Sequence, residues 1–158
     1  RQKVLLLGVS YALLDLCEYN LALGNNIIVM ETGGMKGTRS EVLKDELHAT
    51  LKKGLGVNTI HSEYGMTELL SQAYSRGEGL FETPPWMKFL IRETDDPLKI
   101  RTDGRTGGVN VIDLANIYSC SFIATKDLGR LHKNGKLELM GRFDNSDIRG
   151  CNLMVGSP

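Results

Sequence analysis

The sequence predicts an α/β chain: a parallel-sheet part first, then a small, mostly antiparallel β subdomain. Two observations carry this expectation. Up to about Gly77, short β-branched apolar runs alternate with amphipathic stretches of helical period, the signature of strand–helix–strand units. Beyond it, short strand-like runs are separated only by polar turns. The boundaries expected are 1–77 for the α/β part, 78–140 for the β-rich part and 141–158 for a hairpin and a short tail.

The elements follow in order. Val4 to Leu7 is a continuous apolar run bounded by Gly8, as in a buried parallel strand. Ser10 is suited to cap a helix carrying Leu13, Leu14, Leu16, Cys17 and Leu21. Asn25 and Asn26 make a turn into a second strand, Ile27 to Met30. Glu31 to Gly37 reads as a glycine-rich loop, and Thr38 with Glu41 as a capping box. The helix behind it carries Leu43, Leu47 and Leu51 and is closed by Gly54. Val57 to His61 is a third strand. In the second part, Trp86 to Ile91, Gly108 to Leu114, Phe122 with Ile123, and Lys136 to Met140 read as strands. Turns at Asp95-Asp96-Pro97 and Asp103-Gly104 separate some of them.

The bulk properties exclude several classes. The chain of 158 residues is 41% hydrophobic and 24% charged, ordinary for a globular domain. Its 19 basic and 19 acidic residues cancel, whereas nucleic-acid and membrane-surface binders carry a basic excess. The apolar runs are too short to span a bilayer, and none has the order of a signal peptide. Cys17, Cys120 and Cys151 have no Cys-x-x-Cys spacing, which points to a reducing cytoplasm. Cys17 and Cys120 read as core residues. The start at Arg1, with a strand close behind and no initiator methionine, reads as a fragment.

Tyr64-Gly65-Met66-Thr67-Glu68 is the segment richest in chemistry. Its ring offers a flat face to a base, and Gly65 lets backbone approach a ligand. The Thr67 hydroxyl can reach a phosphate oxygen, and Glu68 can hold Mg²⁺, which takes one or two carboxylates plus phosphates. The same residues also suit a plain strand followed by a helix, with Thr67 as its N-cap. Thr125-Lys126-Asp127-Leu128-Gly129-Arg130 follows downstream, then Gly141-Arg142-Phe143-Asp144 and Arg149-Gly150.

These three segments, in this order, resemble those of the adenylate-forming superfamily of acyl-CoA synthetases, luciferases and peptide-synthetase adenylation domains. Within it, the run from Gly141 to Met154 is most similar to the acyl-protein synthetase family, which supplies acyl groups to the luminescence fatty-acid reductase. The resemblance covers about Val4 to Met154. It implies the second half of an adenylate-forming domain, ATP and Mg²⁺ as cofactors, and a carboxylic, fatty acid as substrate. It further implies an acyl-accepting reductase or CoA as partner.

By that resemblance, Thr32, Gly33 and Gly34 line the adenine pocket, and Tyr64 packs on the base with Gly65 beside it. Thr67 bonds the α-phosphate and Glu68 holds the metal. Asp127 takes the ribose hydroxyls, and Arg142 reaches the ribose or phosphate. Asp144 is the hinge. Lys126 stands where the family has glycine. The phosphate loop of the family is expected upstream of Arg1. Cys151 matches the cysteine onto which acyl-protein synthetases move the acyl group, and the neighbouring Arg149 favours a thiolate. The other reading of Cys151 is a small apolar residue packed beside Leu153 and Met154.

Other readings remain open, the first of them an acyl- or aryl-CoA ligase of the phenylacetate type, with CoA as the acceptor. Gly8-Val9-Ser10-Tyr11-Ala12 resembles a nucleophile elbow, which would make the chain a serine hydrolase using Ser10. A fragment of this kind could also bind nucleotide without turning it over. His48, His61 and His132 share no metal-ligand spacing and read as structural, although His61 is placed to flank an acyl pocket.

Overall fold

The computed structural model describes residues 2–33 and 44–143. The expected capping box at Thr38 and Glu41, and the residues Leu43, Gly34, Asp144, Arg149 and Cys151, lie outside them. The chain forms two compact units, Arg1–Pro84 and Pro85–Pro158.

The first unit opens with β1, Val4–Val9, followed by helix α1, Ser10–Cys17, and β2, Ile27–Thr32. Helix α2 spans Lys44–Leu55. Strands β3, Ile60–Tyr64, β4, Ala73–Ser75, and β5, Leu80–Glu82, complete it. Strands β1, β2 and β3 pair in parallel, while β3–β4 and β4–β5 are antiparallel. Leu13 of α1 and Leu47, Leu51 and Leu55 of α2 share one core with Val29 and Ile60 of the sheet. Leu47, Leu51 and Leu55 recur every four residues, so they form one stripe along α2.

Several expectations change here. Val9, in extended conformation, is the N-cap of α1, and Ser10 is its first residue rather than its cap. Helix α1 ends at Cys17, so Leu21 lies beyond it. Strand β2 continues through Glu31 and Thr32, which shortens the expected loop. Helix α2 passes through Gly54, where an added Cβ would meet the Cys17 Cβ at 2.4 Å; the missing side chain lets α1 approach. The turn out of the helix falls at Gly56, φ +64°. Strand β3 begins at Ile60, not Val57, and Val57 packs against the core instead. Strand β1 is less buried than its apolar run implies. Leu6 packs against the core, whereas Leu5 and Leu7, on the opposite face of the strand, are 56% and 48% exposed.

The second unit contains β6, Met87–Arg92, β7, Ile100–Arg101, β8, Gly107–Asp113, β9, Phe122–Leu131, and β10, Leu137–Arg142. They pair antiparallel in the order β10, β9, β8, β6, β7. Met87, Phe89 and Ile91 alternate inward on β6, and Val109 and Val111 on β8 face the same core. The segment from Thr125 to Arg130 lies within β9. Cys120 is exposed rather than core. Its position between a short 3₁₀ turn, Leu114–Asn116, and β9 puts it on a connecting loop. The α/β part followed by an antiparallel β-rich part is the fold class the sequence predicts.

Candidate functional site

In the first unit, six of the expected ligand residues gather near the carboxyl ends of two neighbouring parallel strands. Thr32 pairs in register with Glu63, and its hydroxyl donates to the Glu63 Oε1 at 3.0 Å. Gly33 thus follows the end of β2 beside Tyr64, the last residue of β3. Strand ends of this kind are where α/β sheets bind ligands. Gly33 has φ +75°, and an added Cβ would meet nothing within 4 Å, so the backbone is open to an approaching group.

Tyr64 is only 7% exposed, its ring set edge-on to Phe81 with centroids 6.1 Å apart. Gly65, Thr67 and Glu68 are exposed beyond it. No helix starts at Thr67. Thr67 and Glu68 form a turn closed by the Leu69 N–H donating to the Met66 carbonyl at 3.0 Å. The helix-cap reading of Thr67 is thereby corrected.

Beneath this edge lies a polar cluster. Glu31 continues the inward face of β2 after Ile27 and Val29, and is 4% exposed. Ser10 Oγ donates to its Oε2 at 3.3 Å. Lys44 Nζ and His48 Nε2 lie 3.2 and 3.5 Å from its Oε1. Ser62 lies 3.4 Å from the same histidine nitrogen. Ser10 Oγ also lies 3.2 Å from the Gly33 carbonyl, which it can engage as an alternative acceptor. The cluster joins β2, β3, α1 and α2 directly under the Thr32–Gly33 edge. Periodicity along β2 was the available signal for it: Ile27, Val29 and Glu31 alternate.

Burial alone raises the Glu31 pKa, but the His48, Lys44 and Ser62 interactions outweigh it and hold the carboxyl below its ordinary value of 4.5. A carboxyl lowered on folding contributes stability that is complete above its unfolded pKa. That contribution is lost as pH falls through the folded value. Glu31→Gln is expected to cost about 1–3 kcal/mol near neutral pH, the penalty for leaving buried partners poorly matched. Thermal melts between neutral pH and the acid side of 4.5 check this. The gap between variant and parent narrows on acidification. A gap independent of pH would rule the ionised pair out.

Ser10 directs its hydroxyl at a carboxylate and a carbonyl, and among the described residues no histidine is its partner, so there the nucleophile-elbow reading lacks its base. His132 is engaged elsewhere, 2.7 Å from Glu138. His61 lies inside β3 rather than at its end.

In the second unit, Asp127 and Arg142 face each other across β9 and β10, with Arg142 Nε 3.3 Å from Asp127 Oδ1. Arg142 is half exposed, so the pair orients the carboxylate more than it stabilises the fold. Lys126 is exposed next to them. Among the described residues no group of three His, Cys, Asp or Glu side chains could hold a metal ion. Glu68 alone suits only Mg²⁺ bound chiefly through nucleotide phosphates. Among the same residues, no helix is long and apolar enough to cross a membrane, which does not bear on β-barrels.

No protein-family model matches the chain, and no curated protein matches it in sequence. Solved structures do match. ATP-bound MatB from Rhodopseudomonas palustris superposes with a TM-score of 0.66 at 16% identity, over 88% of this chain and 31% of its own. Coronafacic acid ligase from Pectobacterium brasiliense gives 0.61 at 17% identity, over 87% and 29%. O-succinylbenzoate coenzyme A synthetase (MenE) from Bacillus subtilis, in complex with AMP, gives 0.60 at 20% identity, over 91% and 32%. The chain thus spans about a third of the length of these structures. At this identity the likeness establishes a shared fold, in agreement with the fold that the motif resemblance implies.

Proposed function

We propose that this chain is the nucleotide-binding section of an ATP-dependent acid–thiol ligase of the adenylate-forming kind. The observation that carries the reading is the meeting of Thr32 and Gly33 with Tyr64 to Glu68 at adjoining strand ends, in a fold shared with ATP- and AMP-bound proteins. In the proposed reaction a carboxylate oxygen of a fatty acid attacks the α-phosphorus of ATP. The bond to the β-phosphate breaks and pyrophosphate leaves. Gly33, Gly34, Tyr64 and Gly65 hold the adenine, and Asp127 and Arg142 hold the ribose. Thr67 donates to an α-phosphate oxygen, and Glu68 would hold Mg²⁺. When bound, that ion neutralises charge on the phosphate oxygens. The protein's share of the rate is mainly positioning.

The acyl group then passes to a thiol. Cys151 is the proposed acceptor: its sulfur attacks the acyl carbon, the bond to the phosphate oxygen breaks, and AMP leaves. Delivery to a reductase would follow. The MenE likeness favours a second reading, in which coenzyme A takes the place of Cys151.

The test is pyrophosphate exchange in the full-length protein. Labelled pyrophosphate is expected to enter ATP only when a fatty acid is present, and chelation of Mg²⁺ should stop it. Absence of exchange across a series of carboxylic acids would overturn the ligase reading.

A further inference from the structure

We propose that Arg92 is the positioning residue that sets Asp127 against the nucleotide's ribose, by filling a bulge in β9. The inference rests on the reading above that Asp127 holds the ribose. Between the paired positions Gly108–Leu128 and Asn110–Ala124, β8 has one residue, Val109, and β9 has three, Thr125, Lys126 and Asp127. A bulge of this kind takes backbone groups out of the ladder, and buried ones need other partners.

Arg92, at the end of β6, supplies them. Its Nη2 donates to the Thr125 carbonyl at 2.6 Å. Its Nη1 donates to the Val109 carbonyl at 2.9 Å and to the Asn110 Oδ1 at 2.7 Å. Thr125 Oγ1 donates to the same Val109 carbonyl at 2.9 Å and accepts from the Asp127 N–H at 3.0 Å. The backbone of Asp127 is thus tied through Thr125 to the point that Arg92 clamps. On the other side, the Phe143 N–H donates to the Lys126 carbonyl at 2.7 Å, and the Phe143 ring lies 5.5 Å from the Arg92 guanidinium. Arg92 therefore touches both the Asp127 segment and the residue after Arg142.

Three features set Arg92 apart from an ordinary surface arginine. Among the described residues it has no carboxylate partner, and its hydrogen bonds go to two backbone carbonyls and an amide oxygen. Its two planar terminal nitrogens reach three acceptors at fixed angles, which a lysine cannot reproduce. Gly108 leaves room for it, since an added Cβ there would come within 2.5 Å of the Arg92 Cζ.

The experiment compares binding of ATP and 2′,3′-dideoxy-ATP to the full-length protein by calorimetry. The parent is expected to prefer ATP, and Asp127→Ala to bind both alike. Arg92→Gln should cut the preference by about tenfold through misplacement of a charge-assisted acceptor, while changing dideoxy-ATP affinity little. Adding Arg92→Gln to Asp127→Ala should change the ratio no further. A folded Arg92→Gln protein that keeps the parent's preference, where Asp127→Ala loses it, overturns this inference alone. A parent with no preference overturns the ribose reading and this inference together. If Arg92→Gln does not fold, Thr125→Val and Thr125→Ser decide. The valine should lose the preference and the serine keep it, and a valine variant that keeps it overturns the proposal.

Discussion

Asp127→Ala in the full-length protein is expected to weaken ATP binding by about 2–4 kcal/mol, the loss of two hydrogen bonds to an ionised acceptor. That is roughly a 30- to several-hundred-fold rise in Kd. The side chain is 14% exposed and faces Arg142, so its removal also leaves a guanidinium without that carboxylate. Fold stability should move far less, because Arg142 is 52% exposed and an exposed pair contributes roughly 0–1 kcal/mol. Calorimetric titration with ATP, alongside a thermal melt, separates the two effects. An unchanged ATP affinity would remove Asp127 from the nucleotide site.

Cys151→Ser is expected to abolish a protein-bound acyl label while leaving acid-dependent pyrophosphate exchange nearly intact. The first half-reaction needs only the nucleotide and the acid; the second needs a thiolate. Incubation with labelled fatty acid and ATP, followed by hydroxylamine at neutral pH, reads the thioester directly. Persistence of a hydroxylamine-labile label in the serine variant would exclude Cys151. Formation of acyl-CoA with no labelled protein in the parent would favour coenzyme A as the acceptor.

Local pattern explains what was legible in the sequence. Helix α2 and strands β2, β6 and β8 carry apolar residues at the period of their own element, so each is visible without knowledge of its neighbours. The position of Tyr64 to Glu68 at the end of a strand was legible for the same reason. The edges of elements were less so. Glu31 looked like the first residue of a loop because a carboxylate is costly to bury. Its burial is tolerated only because Lys44, His48, Ser10 and Ser62 arrive from other elements. Ser10 looked like a cap, since the acceptors its hydroxyl reaches lie 21 and 23 residues away.

By itself, then, the sequence determined the alternation of strand and helix, the change to antiparallel strands, and the order of the ligand-type segments. All three are written in neighbouring residues. Tertiary structure decided which side chains meet. The Arg92 clamp joins residues 17, 18 and 33 positions apart, and the Asp127–Arg142 pair depends on the register of β9 against β10. A hydrogen bond is made or lost over less than an ångström. Strand pairing and bulges set positions on that scale, and no single segment of the sequence encodes them.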